Sequence, residues 1–356
     1  MKRRRLFWIA SVALLACGAT SALAFTAART LDLWQVVIDQ VDKPATTDDR
    51  VIPFSVQEGD SAASIGQHLE QLGLIGNALA FRWLAAYYGV DHGLKSGEYE
   101  LSGTMKPSDI LAKLHRGLIK TTDVTLLEGW RIEQIADELD QKNIFPREDF
   151  LREAARFSGD FGFLREKPAG SSLEGYLFPD TYRLPAGIEA SDLIQLLLNN
   201  FDQRFTSEMR QQAAARGLSV HDAVTLASIV EREAVVPEER PIIAAVFLNR
   251  LQKGMLLQAD PTVQYALGSD PALVVKDGYW KKDLTRQDLA SPSNYNTYLH
   301  QGLPPGPICN PGLASLKAVV EAGPTDYLYF VAKNDGSHAF AKTLEEHNDN
   351  VRRYRQ

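Results

Sequence analysis

The stretch "EGWRIEQIADEL" at residues 128–139 repeats, without a gap, the pattern of "EGDSAASIGQHL" at 58–69: both read E-G-x5-I-x3-L. Isoleucine and leucine four apart lie on one face of a helix, and each segment is followed by a second apolar patch, "LGLIGNALAFRWLA" and "KNIFPREDFLREA". Further on, "EYELSGTMKPSDIL" at 98–111 resembles "TYRLPAGIEASDLI" at 181–194, with Tyr, Leu, Gly, Ser-Asp and an aliphatic in the same order. The chain therefore reads as two copies of one module, about 51–118 and 121–200. In each, a short strand enters a helix and a strand-turn-helix closes the unit. Glu58 and Glu128 read as helix-entry residues, because an acid in the first turn favours the helix dipole.

The two copies differ at one place. In the first, "SGEY" runs straight into its Tyr-x-Leu strand; in the second, Tyr182-x-Leu184 is preceded by "SSLEGYLFPD". Elaborated connections on a rigid frame are where function concentrates. Ser171-x-x-Glu174 has the spacing of a capping box, but Gly175 follows at once and Pro179 within a turn, and an interior proline costs a helix about 3 kcal/mol. What is left is a carboxyl among Leu173, Tyr176, Leu177 and Phe178. Apolar company disfavours the anion and raises the pKa, as a general acid working near neutral pH requires. Asp180 is a candidate second carboxyl for a hydrolase, and equally an Asx-turn residue ahead of the Tyr182 strand.

The remaining chain reads as helical, then loop-rich. "SVHDAVTLASIVEREA" carries apolar residues at 223, 226, 227, 230 and 234, with Ser219 and Asp222 at capping-box spacing. Glu231 borders that stripe and reads as a solvated helix carboxylate. A second helix runs through "EERPIIAAVFLNRLQKG" to Gly254, and "NDG" between two aromatic strands signals a C-terminal hairpin. "LASPSNYNTYLHQGLPPGPICNPG" holds five prolines and reads as a stiff loop.

Composition limits the function classes. The 356 residues carry a formal net charge of −7 and a sequence pI of about 5.6, so no basic surface for nucleic acid is implied. Length argues for two or three domains. The two cysteines, Cys17 and Cys309, offer no disulfide within the soluble part, and Cys/His metal spacing is missing, so neither a metal nor a cofactor is expected. No G-x-S-x-G elbow, H-E-x-x-H, P-loop or dinucleotide fingerprint occurs. At the N-terminus, "MKRRR" precedes a run uncharged from Leu6 to Ala28, long enough to cross roughly 30 Å of hydrocarbon as a helix. It reads as a retained single-pass anchor (1–28) followed by a linker (29–50). "ALAF" at 22–25 also fits a signal-peptidase site and "LLAC" at 14–17 a lipoprotein box. Every version puts residues 30–356 outside the cytoplasm.

"LEGYLFPDTYRL", "ASIVEREA", "VFLNRLQKGMLLQADPTVQYALG", "YNTYLHQGLPPGPICNPG" and "YLYFVAKNDGSHAF" together resemble the endolytic murein transglycosylase family, also called YceG-like, from about residue 50 to the end. The resemblance implies an α+β protein of the inner membrane with its large part in the periplasm. It implies a transmembrane helix, a LysM-like module at 51–118 and a catalytic domain at 121–356, the latter with a module-like copy (121–200) and a helical, loop-rich part (201–356). The implied activity is cleavage inside nascent peptidoglycan strands, leaving 1,6-anhydro-N-acetylmuramic ends, beside peptidoglycan synthases. The family's E-G-[YW]-x-[FW]-P-D motif puts the catalytic glutamate at Glu174. A lytic enzyme needs no second carboxylate, since one group protonates the glycosidic oxygen and then accepts the proton of the C6 hydroxyl. Gln258 and Asp260 in "LQADPTV", and Asn296 and Tyr298 in "YNTY", are the candidate sugar-holding residues, each equally readable as a turn or cap residue. A non-catalytic peptidoglycan-binding scaffold and a water-using muramidase are the rival readings.

Overall fold

The computed structural model describes residue 38 and residues 40–117 and 120–354. The expected anchor and both alternative cleavage sites, with Cys17, lie outside the described residues. Among the described residues no helix is long and apolar enough to cross a membrane. The protein is mixed α+β and divides into two compact units, the first up to Thr122 together with Pro185–Gly187, the second comprising the rest.

The first unit runs β1 (Val51–Val56), α1 (Ala62–Gln71), α2 (Ala78–Tyr87), β2 (Gly97–Ser102) and α3 (Pro107–Arg116). The strands pair antiparallel, from Val51 opposite Ser102 to Val56 opposite Gly97. Period-two alternation sends Phe54 and Val56 inward, where they meet Ile65, Leu69, Phe81, Tyr99, Leu101 and Leu114. Helix α1 starts at a reciprocal cap: the Ser61 hydroxyl accepts from Ser64 N–H and the Ser64 hydroxyl from Ser61 N–H.

The second unit opens with the same order of elements: β3 (Thr121–Thr125), α4 (Ile132–Gln141), α5 (Arg147–Arg156), β4 (Thr181–Pro185) and α6 (Ala190–Arg204), β3 pairing with β4. The likeness extends to details. Ile65 and Leu69 are buried in α1 as Ile135 and Leu139 are in α4. Leu74 N–H donates to Leu69 O and Ile144 N–H to Leu139 O, each at 2.9 Å, behind a residue of positive φ, Gly73 or Asn143. The buried Tyr99 and Tyr182 hydroxyls each donate at 2.6 Å to the carbonyl four residues earlier, Lys95 or Phe178. The two runs of elements differ between the second helix and second strand, where residues 88–96 of the first stand opposite 157–180 of the second. Glu58 and Glu128 fall four residues before their helices rather than in the first turn, so the dipole argument applies to Glu133 in α4 instead.

Beyond α6 lie α7 (Ser207–Ala215), α8 (Val220–Glu233), α9 (Arg240–Gln252), α10 (Asp260–Leu267), α11 (Pro271–Asp277) and α12 (Leu313–Val320). The hairpin β5 (Tyr329–Ala332) and β6 (His338–Ala341) and the final helix α13 (Leu344–Tyr354) complete the unit. The capping box of α8 forms, Ser219 Oγ accepting from Asp222 N–H at 3.0 Å and Asp222 from Ser219 N–H at 3.0 Å. A one-sided stripe understates this helix, for every residue from Val220 to Val230 except the capping Asp222 is buried. Glu231 is likewise not solvated. Its side chain is 7% exposed, lies 3.5 Å from Arg240, and accepts from Gly312 N–H.

The matched tyrosines give a test of the shared frame. Tyr99→Phe and Tyr182→Phe should each lower stability by about 1 kcal/mol in denaturant melts, since each removes the hydroxyl's hydrogen bond to a main-chain carbonyl. A loss confined to one of them would mean that the two hydroxyls do unequal work.

Candidate active site

Residues 173–179 form a buried irregular turn, not a helix. Its shape depends on Gly175, whose φ of +90° suits no side chain and whose missing Cβ would come within 2.5 Å of Pro307. The turn's amides are satisfied from a distant loop: the Asn310 side-chain oxygen accepts from Gly175 N–H at 3.0 Å and from Leu177 N–H at 2.9 Å. The Asn310 backbone is bound in turn to the loop before α4, through Trp130 O and Gly129 N–H. Below the turn, Tyr176 faces His221. Nε2 of His221 lies 3.0 Å from Pro305 O and so carries the proton, which leaves Nδ1 to accept from the Tyr176 hydroxyl.

Glu174 is 2% exposed. Ile132 N–H, the first amide of α4, donates to both carboxyl oxygens at 3.1 and 3.2 Å, and Asn310 Nδ2 donates to Oε1 at 3.0 Å. Burial pushes the Glu174 pKa up to about 8, with Glu133 adding to the rise; Arg131 and the amides of Ile132 and Gly175 oppose it. The acid is therefore largely protonated at neutral pH yet furnished with donors for the anion. Oε1 takes two N–H groups as a carbonyl does, which leaves Oε2 as the better place for the proton.

Arg131 and two tyrosines interact with its charge. Arg131 is 1% exposed, its guanidinium 4.2 Å from the ring centre of Tyr265 and 5.9 Å from that of Trp280, and bonded to Glu133. Tyr265 and Tyr295 pack with ring centres 4.8 Å apart. Both phenols are pushed up, by burial first and then by the charge of Glu174.

Asp180 takes the turn role. Oδ1 accepts from Thr181 N–H at 2.8 Å, and Oδ2 from Arg204 at 3.0 Å and Asn200 at 3.2 Å. Burial pulls its carboxyl upward, but these donors hold it below the ordinary carboxylate range. The four candidate sugar-holding residues cluster elsewhere than on Glu174. Gln258, Asp260 and Tyr298 line a cavity of about 280 Å³ that Glu174 does not line, and the Tyr298 hydroxyl donates to Asp260 at 2.6 Å. Asn296 is fully buried, its Nδ2 donating to Leu289 O and Ser291 O and its Oδ1 accepting from Tyr298 N–H. Cys309 is buried, its thiol donating to Ser228 O.

Sequence reasoning missed Asn310, Arg131, Tyr265 and Tyr295. The one signal for Asn310 was its place in a five-proline loop, rigid enough to hold a single side chain against two segments. Among the described residues no cluster of metal-ligating groups occurs.

The sequence profile of the YceG-like family matches residues 54–353. The chain belongs to the YceG-like family. It is 34% identical to the endolytic murein transglycosylase of Bacillus subtilis strain 168 over 334 residues, 89% of this chain and 88% of the relative. It is 30% identical to the protein of that name from Streptococcus pneumoniae strain D39, covering 61% of that longer chain. A crystal structure of a yceG-like protein from Listeria monocytogenes matches with a TM-score of 0.55 at 34% identity, over 85% of this chain and 99% of that one.

The Glu174 carboxyl links stability to pH. A folded pKa near 8 against an ordinary 4.5 means that the folded form holds a proton the unfolded form has lost between those values. Stability contributed by this group is thus complete below pH 4.5 and is lost as pH rises through 8. Glu174→Gln, which cannot ionise, should be more stable than the parent at pH 9, on the order of 4 kcal/mol, with the gap closing towards pH 5. Equal melting offsets at both pH values would contradict the raised pKa. Asn310→Ala should lose about 2–4 kcal/mol, since it strands two buried amides.

Proposed function

We propose that this YceG-like chain is a lytic transglycosylase that cuts the bond between N-acetylmuramic acid and N-acetylglucosamine inside peptidoglycan strands. The observation that carries this reading is a single buried carboxyl, raised to about pKa 8, with donors waiting for its anion. Protonated Glu174 donates from Oε2 to the glycosidic oxygen, and the bond from that oxygen to the muramic C1 breaks. The new carboxylate is stabilised by Ile132 N–H at the helix terminus and by Asn310 Nδ2. It then takes the proton of the C6 hydroxyl as O6 closes on C1, giving the 1,6-anhydro end and restoring the acid. No water is consumed.

A hydrolytic scheme using Asp180 is disfavoured by that residue's bonds to Arg204, Asn200 and Thr181. Exclusion of water around a 2%-exposed acid favours ring closure over hydrolysis.

Sequence and family resemblance support the remaining parts of the reading. Residues 1–28 anchor the protein in the inner membrane, 29–50 link it, 51–118 form a LysM-like module, and 121–356 the catalytic domain in the periplasm. Gln258, Asp260, Asn296 and Tyr298 belong to the substrate-binding region. The tether keeps the enzyme beside peptidoglycan synthases, where internal cuts end strand growth.

Mass spectrometry of digested sacculi tests the reading. The parent should yield anhydro-muropeptides, and Glu174→Gln should lose more than the 10²–10⁴-fold of a simple general acid, because one group serves as acid and base. Asp180→Asn should stay within several-fold. Reducing ends would establish the muramidase instead, and unchanged strands the scaffold.

A further inference from the structure

We infer that the exposed apolar face of α2, formed by Leu79, Trp83, Tyr87 and Tyr88, lies in the interfacial layer of the lipid bilayer that holds the N-terminal anchor. This rests on the proposed anchor and goes beyond it, since a tether alone leaves the first unit free to turn.

Leu79, Trp83 and Tyr87 fall four residues apart along α2 and line one ridge, with Tyr88 at the C-cap behind them. Leu79 is 74% exposed, Tyr87 52% and Tyr88 49%. The rings are ordered against one another. Trp83 stacks on Tyr87 at 5.5 Å with an interplanar angle of 18°, and Tyr88 meets Tyr87 edge-on at 5.2 Å. The frame does not require this ridge. In the corresponding helix of the second unit, α5, Phe150 and Ala154 are buried where α2 buries Phe81 and Ala85, but Glu148, Arg152 and Arg156 stand where α2 has Leu79, Trp83 and Tyr87. The same outward positions are thus charged in one unit and apolar in the other. Arg82 is the only charged residue of α2. Leucine, tryptophan and tyrosine flanked by one arginine make a face suited to the headgroup level of a bilayer, where the arginine reaches phosphate.

The incoming chain holds this face near the membrane. Ile38 is buried in the core of the first unit, and Asp42 accepts from the Ser108 N–H at 2.7 Å and the Ser108 hydroxyl at 2.6 Å. The Tyr88 phenol is pushed up by burial first and then by the charge of Asp42, so the chain enters beside the C-terminal end of α2. Only residues 29–37 separate the uncharged run from Ile38, a distance of at most about 35 Å when fully extended. With so short a tether, a weak attraction of the ridge for lipid is enough to keep it there. A glycan strand suits the face less well. Sugar platforms set hydrogen-bonding side chains beside the ring, and α2 contains no amide or carboxylate side chain.

The test is a depth measurement on the full chain reconstituted in vesicles of phosphatidylethanolamine and phosphatidylglycerol. In a background of Cys17→Ala and Cys309→Ala, a nitroxide is attached at Leu79→Cys or, as the reference, at Glu148→Cys. Its collisions with oxygen and with a water-soluble nickel chelate are then compared. The oxygen-to-nickel ratio should be at least fivefold higher at position 79 than at 148. Placing the α5 charges in α2, as Trp83→Arg with Tyr87→Arg, should bring the ratio at 79 down to that at 148, with thermal melts reporting folding; the two-label comparison stands without this variant. Equal ratios at 79 and 148 in a chain that resists carbonate extraction would overturn the inference and leave the anchor intact. Release by carbonate would remove the anchor and this inference with it. Shielding at 79 that needs an added tetrasaccharide of N-acetylglucosamine and N-acetylmuramic acid, or dipolar broadening between labelled chains, would assign the face to glycan or to a second copy and overturn it likewise.

Discussion

The carboxyl of Glu174 sits at the first amide of α4 with almost no access to water, and the rest of the site is arranged around that fact. Desolvation and Glu133 favour the acid; Arg131 and the amides of Ile132 and Gly175 favour the anion. Burial wins, but only far enough to bring the pKa to about 8. A group balanced there can lose and regain a proton near neutral pH at little free-energy difference between its two forms.

That balance needs four chain segments brought to one point. The turn at 173–179 carries the acid, the loop at 128–131 delivers the helix amide, and the proline loop supplies Asn310, whose one amide group binds the first two segments together. Below them, α8 furnishes His221 to fix Tyr176 against Pro305. Gly175 is what lets these approach: a methyl group there would meet Pro307 and Val224. Precision comes from loops made rigid by proline and packing, with α8 as the buried support.

The frame was legible because it is periodic. The spacing of Ile65 and Leu69, and of Ile135 and Leu139, fixes one helix face twice, and Tyr99 and Tyr182 mark the paired strands. Glu174 was legible because glycine and proline forbade the helix its spacing would otherwise suggest. Asn310 was not, since its partners lie 136 and 180 residues away, and nothing local distinguishes a bridging asparagine from a loop polar residue. For the same reason Glu231 read as solvated: the arginine and loop that cover it come from elsewhere in the chain. Asn296 illustrates the converse, since a polar residue in a quoted motif can be spent on holding its own loop.

The central claim is that Glu174 is a neutral acid in the resting protein. Infrared difference spectroscopy of the full chain, with Glu174→Gln as the reference, observes that proton directly through the carbonyl stretch of a protonated carboxyl. The account requires one such band at pH 7 that is absent from the variant and titrates with a midpoint near 8. A carboxylate signal assigned to Glu174 throughout pH 5–7 would contradict it.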